Sequence, residues 1–179
     1  MNAGGVLPRP EAGEYNEYYA RYIALVPDGD IVETLARQMQ DTHALLKGVP
    51  PEKEEYRYAP GKWSLREVVG HLLDTERVFA FRALWFARGA GGELAGMDQE
   101  LWVKASSAGS RSLADLAWEW MGLRSANALM FASFDEETGL RRGVASGYEV
   151  TVRALAWMIA GHELHHLALI RREYLGEGA

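Results

Sequence analysis

The sequence predicts an all-α protein built as a four-helix bundle, and three observations carry that prediction. Four long segments place apolar residues at helical spacing behind recognisable capping residues. No segment alternates with the period of two expected of a strand. The connection between the second and third long helices is the longest, sufficient to run the length of a bundle, which favours an up-down-down-up order.

The elements follow in order. Residues 1–13, rich in Gly and Pro, read as a flexible N-terminal arm, and residues 14–179 as one bundle domain. Glu14 to Val26 carries Tyr15, Tyr18, Tyr19 and Tyr22 and is expected to form a short helical brace across the outside of that domain. Asp30, with Glu33 three residues on, caps the first long helix, whose apolar face is Ile31, Leu35, Met39, Leu45 and Leu46. Gln38 and Thr42 interrupt this face, and His43 sits at its margin as a structural or solvated residue. Pro50-Pro51 ends the helix. Ser64 and Glu67 form a second capping box, with Trp63 at the staple position, and open a helix from Leu65 to about Ala87.

Arg88 to Ser110 reads as a Gly-rich connection. Ser112 then caps a third helix reaching about Phe134, with Leu113, Leu116, Trp120, Leu123 and Phe131 inward. Arg124 and Asn127 stand in the middle of that inner face. A buried arginine is either ion-paired within the bundle or placed for an anionic ligand. Asp135 to Val150 reads as a turn region, and Thr151 caps a last helix that runs to Leu175 and stops at Gly176.

Composition narrows the function. A chain of 179 residues suffices for one domain with a substantial core. The net charge of −6 gives no basic surface for nucleic acid. The absence of cysteine excludes disulfides, thiolate metal ligands and a cysteine nucleophile, so any metal is held by His, Asp or Glu. No apolar run has the length of a membrane span, and the N-terminus lacks the regions of a signal peptide, so a cytoplasmic protein is expected.

Three of the five histidines fall within Gly161-His162-Glu163-Leu164-His165-His166. His162 and His166 share a helical stripe with Leu155, Ile159 and Leu169, and imidazoles at i and i+4 converge on one point, as two ligands to one metal do. The competing reading is a pair of hydrogen-bonded core histidines. His165 lies at the edge of the stripe and Glu163 on the opposite flank. On the second long helix His71 shares a stripe with Val68, Thr75, Val78 and Arg82, and either Asp74 or Thr75 is placed to orient an imidazole. His71 is then a structural histidine or a third ligand. The same residues satisfy H-E-x-x-H, the zinc protease pattern, but no histidine follows and the nearest downstream carboxylate is Glu173.

Three stretches carry a family resemblance: Tyr58-Ala59-Pro60-Gly61-Lys62-Trp63-Ser64, His71-Leu72-Leu73-Asp74-Thr75-Glu76-Arg77 and Gly161-His162-Glu163-Leu164-His165-His166. In these the chain resembles the DinB-like (YfiT-like) superfamily, from about Tyr18 to Leu175. The resemblance implies an up-down-down-up four-helix bundle, commonly a homodimer, that binds a divalent metal through His71, His162 and His166. Zinc or nickel is expected first, with iron or manganese as alternatives. Family members include thiol S-transferases and a thiol-dependent isomerase.

Three histidines leave open positions on a metal, the catalytic rather than the structural pattern. Three functions follow. One is an S-transferase acting on a small-molecule substrate with a low-molecular-weight thiol, for which Arg124 and Arg82 are the candidate binding groups. The second is a metal-dependent hydrolase, with Glu163, Asp74 or His165 as candidate catalytic groups. The third is a non-enzymatic metal-binding protein of stress or damage response.

Overall fold

Side-chain caps start each of the long helices. Asp30 accepts from Val32 N and Glu33 N ahead of α2, Ile31–Lys47, the short brace helix α1, Ala20–Ile23, having come before it. Ser64 and Glu67 form a reciprocal capping box at the head of α3, Leu65–Ala87. Ser112 caps α5, Leu113–Ala132, after the short helix α4, Gln99–Ala105. Thr151 caps α7, Val152–Leu169, which follows α6, Glu136–Leu140. The computed structural model describes residues 7–177.

Cross-helix contacts fix the direction of each long helix. Gln38 meets Ala160 and Thr42 meets Glu163, so α2 and α7 run parallel. Arg77 pairs with Glu119, and Arg88 at the end of α3 lies over the ring of Phe134 just past α5, so α3 and α5 run parallel. His71 faces His162, and Trp63 at the other side of His71 reaches Tyr174, so α3 and α7 are antiparallel. His43 contacts Ala117 and Arg124 reaches Leu35, so α2 and α5 are antiparallel. The result is the up-down-down-up bundle expected from the long second connection.

The core lies in two clusters around α7. One gathers Leu35, Phe79, Phe86, Phe131, Leu155 and Trp157; the other gathers Leu65, Leu72, Leu116, Trp120, Leu167 and Ile170. From Val152 to Glu163 every residue of α7 is buried, so the helix is enclosed on all sides as far as His162, and only its last turns, which carry His166 inward and His165 outward, are amphipathic. The brace closes the outer side. A Cβ at Gly161 would fall 2.1 Å from Tyr22 O, so the glycine allows the backbone of α1 to lie directly on α7.

Four features differ from the sequence reading. Of the expected arm over residues 1–13, residues 1–6 lie outside the described residues. The remainder is pinned: Leu7 is buried, its carbonyl accepts from Trp157 Nε1 at 3.1 Å, and Arg9 donates to Ile23 O at 2.8 Å. The Gly-rich connection contains α4, capped by Asp98. The turn region contains an antiparallel hairpin, β1 (Arg142–Ala145) and β2 (Tyr148–Thr151). Its two-residue loop has positive φ at both Ser146 (56°) and Gly147 (81°), the hand that matches strand twist. Finally, α7 passes into a π-helical stretch, Ile170–Leu175, before the left-handed Gly176.

Candidate metal centre

The last two turns of α7 and the second turn of α3 bring three imidazoles together. His162 Nε2 lies 3.2 Å from His71 Nε2 and 3.1 Å from His166 Nε2, and all three side chains are buried. Burial depresses all three pKa values, His71 to about 4 and His166 to about 3, with the neighbouring histidines adding to the effect on His162 and His166. At neutral pH the cluster is therefore three uncharged rings. Each ring nitrogen carries either one proton or one lone pair, so His162 Nε2 cannot make two good hydrogen bonds at once.

Three lone pairs aimed at one point suit a cation instead. Metal–nitrogen bonds of about 2.0–2.1 Å in tetrahedral geometry hold ligand nitrogens roughly 3.3 Å apart, close to the spacing seen here. The donor set thus fits a divalent ion, and among the described residues this is the cluster with metal-ligand spacing.

The surroundings orient the rings. Thr75 Oγ1 lies 3.4 Å from His71 Nδ1, placed to accept its proton and keep the Nε2 lone pair facing the cluster. Of the two orienting candidates, Thr75 therefore has the role; Asp74 is half-buried and turned to Arg77 at 3.4 Å. The Trp63 ring stands 4.9 Å from that of His71, and its carbonyl accepts from Tyr174 in the π-helical stretch at 2.7 Å. Tyr22 meets His162 edge-on at 5.5 Å. The sequence marked Trp63 only as a helix staple and Tyr22 only as part of a brace. Both contacts join elements distant in the chain, which helical periodicity does not reveal.

The remaining candidates separate into three groups. Glu163 is buried, but it does not face the histidines as a free base: Thr42 Oγ1 donates to one oxygen, and Arg124 Nη1 to the other at 2.7 Å. Burial pushes its carboxyl up in pKa, against the pull of Arg124. Arg124 is fully buried and also grips Glu76 through Nε at 2.8 Å and Nη2 at 2.7 Å, with Asn127 donating to Glu76 at 3.0 Å. It is a bundle ion pair, and its candidacy as a ligand-binding group is corrected accordingly. His165 is exposed beside Tyr22, and His43 donates to Ala117 O at 3.3 Å, so neither joins the cluster. Arg82 alone among the predicted binding groups reaches the site: it lines a cavity of about 210 Å³ together with His71, Thr75, Phe79 and His162.

The comparisons bear on the family and the fold. The model of the DinB superfamily matches residues 34–170, which spans nearly all of α2 and the whole of α3, α5 and α7. The chain belongs to the DinB superfamily. Among solved structures it is similar to YfiT from Bacillus subtilis, with a TM-score of 0.68 at 15% identity, 94% of each chain being covered. YfiT is described as a probable metal-dependent hydrolase with an unusual four-helix bundle topology, and at that identity the likeness speaks for the fold. No curated protein matches the chain. As a DinB-superfamily bundle, the chain keeps its ligand-capable histidines on two antiparallel helices. No helix among the described residues is long and apolar enough to cross a membrane.

Proposed function

We propose that this chain is a metal-dependent enzyme in which His71, His162 and His166 hold one divalent ion that activates a small nucleophile. The observation that carries the reading is the convergence of three buried, uncharged Nε2 atoms beside a cavity. When bound, such an ion supplies Lewis acidity, which lowers the pKa of a coordinated water or thiol toward neutrality. Zinc or nickel is the first expectation for three imidazoles, with iron or manganese also compatible.

The chain's own residues then position and exclude. Thr75 and Trp63 hold the His71 ring, Tyr22 packs edge-on against His162, and His71 and His162 line the 210 Å³ cavity. The carboxylates considered as general bases are engaged elsewhere, Glu163 by Arg124 and Asp74 by Arg77. A thiol starts far more acidic than water, so beside a metal it loses its proton to solvent with less need of a protein base, and this favours the S-transferase reading with a low-molecular-weight thiol. Hydrolysis is the second reading, supported by the description of YfiT and by the ability of an ion to generate a nucleophile from water unaided. A homodimer belongs to the same proposal.

Assays of the metal-loaded protein with activated electrophiles, run with and without small thiols, test the reading. Turnover that requires both metal and thiol supports the transferase, and metal-dependent turnover in water alone supports the hydrolase. No turnover under either condition, with a full equivalent of metal bound, would leave a metal-binding protein without catalysis.

A further inference from the structure

Arg82 differs from the other buried arginines. Arg124 is held by Glu76 and Glu163, and Arg153 by Glu14. Arg82 is equally enclosed, at 5% exposure, yet among the described residues no carboxylate lies within ion-pair distance of it. Its hydrogen bonds come from Nη2 alone, to Ala95 O at 2.7 Å and Ser146 Oγ at 3.0 Å. Both partners are neutral, so they fix the guanidinium in place without matching its charge. Burial draws its pKa down from the usual arginine value, as expected of a cation short of counter-charge. A buried cation left in this state is costly unless something else completes it.

The fold places Arg82 at the wall of two cavities. Arg82 and Ser146, with Tyr18 and Tyr19, line both the 210 Å³ cavity beside the histidines and a neighbouring cavity of about 270 Å³. Glu149 lines the second cavity, but its side chain is largely exposed and leans toward Arg142 at 3.9 Å. Between the arginine and the histidines stands an apolar wall. The Phe79 ring lies 5.9 Å from Arg82 Cζ and 6.3 Å from the His162 ring. His71 and Arg82 are both on α3, three turns apart, or about 16 Å along the axis. The cavity thus has the Arg82 cation at one end and histidines at the other, with the Phe79 ring between them.

We propose that Arg82 is the oxyanion subsite of this cavity, and that the substrate is a small molecule with an apolar body and a carboxylate or phosphate at the end away from the histidines. The Nε and Nη1 groups have no protein partner among the described residues; they lie on different edges of the guanidinium, and each is left to donate singly to an oxygen of a carboxylate or a phosphate. Ser146 is a positioning residue: the loop of the β1–β2 hairpin, with both its residues at positive φ, brings its hydroxyl to Nη2. That the far end of the substrate meets a metal rests on the proposed function; that the near end is anionic rests on Arg82 alone.

The test is calorimetric titration of the wild-type protein, metal-loaded and again after chelation, with phenylacetate, phenylphosphate and the neutral phenylacetamide. The expected result is that at least one anion binds about tenfold or more tightly than the amide in both metal states, as a charged hydrogen-bonded pair provides. The two anions distinguish a carboxylate substrate from a phosphate one. Arg82→Met should abolish the preference while keeping the metal content of the wild type, and Arg82→Lys should retain part of it. Equal affinity for anions and amide on the wild-type protein overturns the proposal without reference to any variant. A preference that survives in Arg82→Met and vanishes on chelation would place the anion on the metal, overturning the subsite and supporting the metal centre. A preference that survives chelation and depends on Arg82 upholds the subsite even if the histidines hold no metal.

Discussion

Arg124 Nη1 donates to Glu163 Oε2 at 2.7 Å, one residue along the chain from His162. This pair removes the glutamate of the H-E-x-x-H pattern from the role it has in zinc proteases and gives it a structural one. Through its other nitrogens Arg124 holds Glu76 on α3, so a single guanidinium sets the rotation of α7 against α3, the two helices that carry the histidines.

Breaking this ion pair should therefore cost stability. Arg124→Ala leaves two buried carboxylates without a cation and is expected to destabilise the fold by about 3–5 kcal/mol in urea unfolding. Glu163→Gln keeps an acceptor for Arg124 and should cost less. If the assays above detect activity, Glu163→Gln should retain it within a few-fold, because Glu163 has no free oxygen to act as a base. A loss of several orders of magnitude in that variant, with metal retained, would return Glu163 to the catalytic group.

Gly161 tests the brace. Alanine there puts its Cβ against the Tyr22 backbone, and α1 has to move away from α7. The expected cost is roughly 1–3 kcal/mol, as for other overpacked sites. Limited proteolysis should in addition cut the chain between Glu14 and Val26 faster than in the wild type. Unchanged stability and unchanged cleavage would mean that the close approach of α1 to α7 contributes little.

Acid should weaken the anchoring of the N-terminal segment. Burial raises the Glu14 carboxyl, but hydrogen bonds from Arg153, the Glu11 backbone and Thr151 outweigh this and hold it at about 2, against an ordinary 4.5. A carboxylate with a depressed folded pKa stabilises fully above its unfolded value and loses that contribution as pH falls toward its folded value. Stability should decline between pH 4.5 and about 2, and Glu14→Gln should flatten that part of the profile. An identical slope in the variant would mean that other carboxylates carry the acid response.

Much of this was legible in the sequence because helices advertise themselves locally. Ser64 with Glu67, Ser112 and Thr151 marked the helix starts that the structure has. The i, i+4 spacing of His162 and His166 likewise fixed their common face. Features that depend on distant partners were not legible. Glu163 stood only as a candidate catalytic group and Glu76 had no assigned role until Arg124, far along the chain, was placed between them. The hairpin escaped because its strands are only four residues long and their burial does not alternate, leaving no period of two to detect. Its signal was the Ser146-Gly147 turn, together with Gly143, where a Cβ would fall 2.0 Å from the Phe86 ring. The brace gave aromatic residues but no indication that Tyr22 would cover His162.

The central claim is that His71, His162 and His166 together bind one divalent ion, and the most direct measurement is elemental analysis of the purified protein and its five single histidine-to-alanine variants. The account predicts about one equivalent of metal in the wild type, in His43→Ala and in His165→Ala, with most of it lost from His71→Ala, His162→Ala and His166→Ala while circular dichroism shows each still helical. A full equivalent retained by folded His71→Ala would contradict the three-histidine site, and with it the case for a catalytic metal.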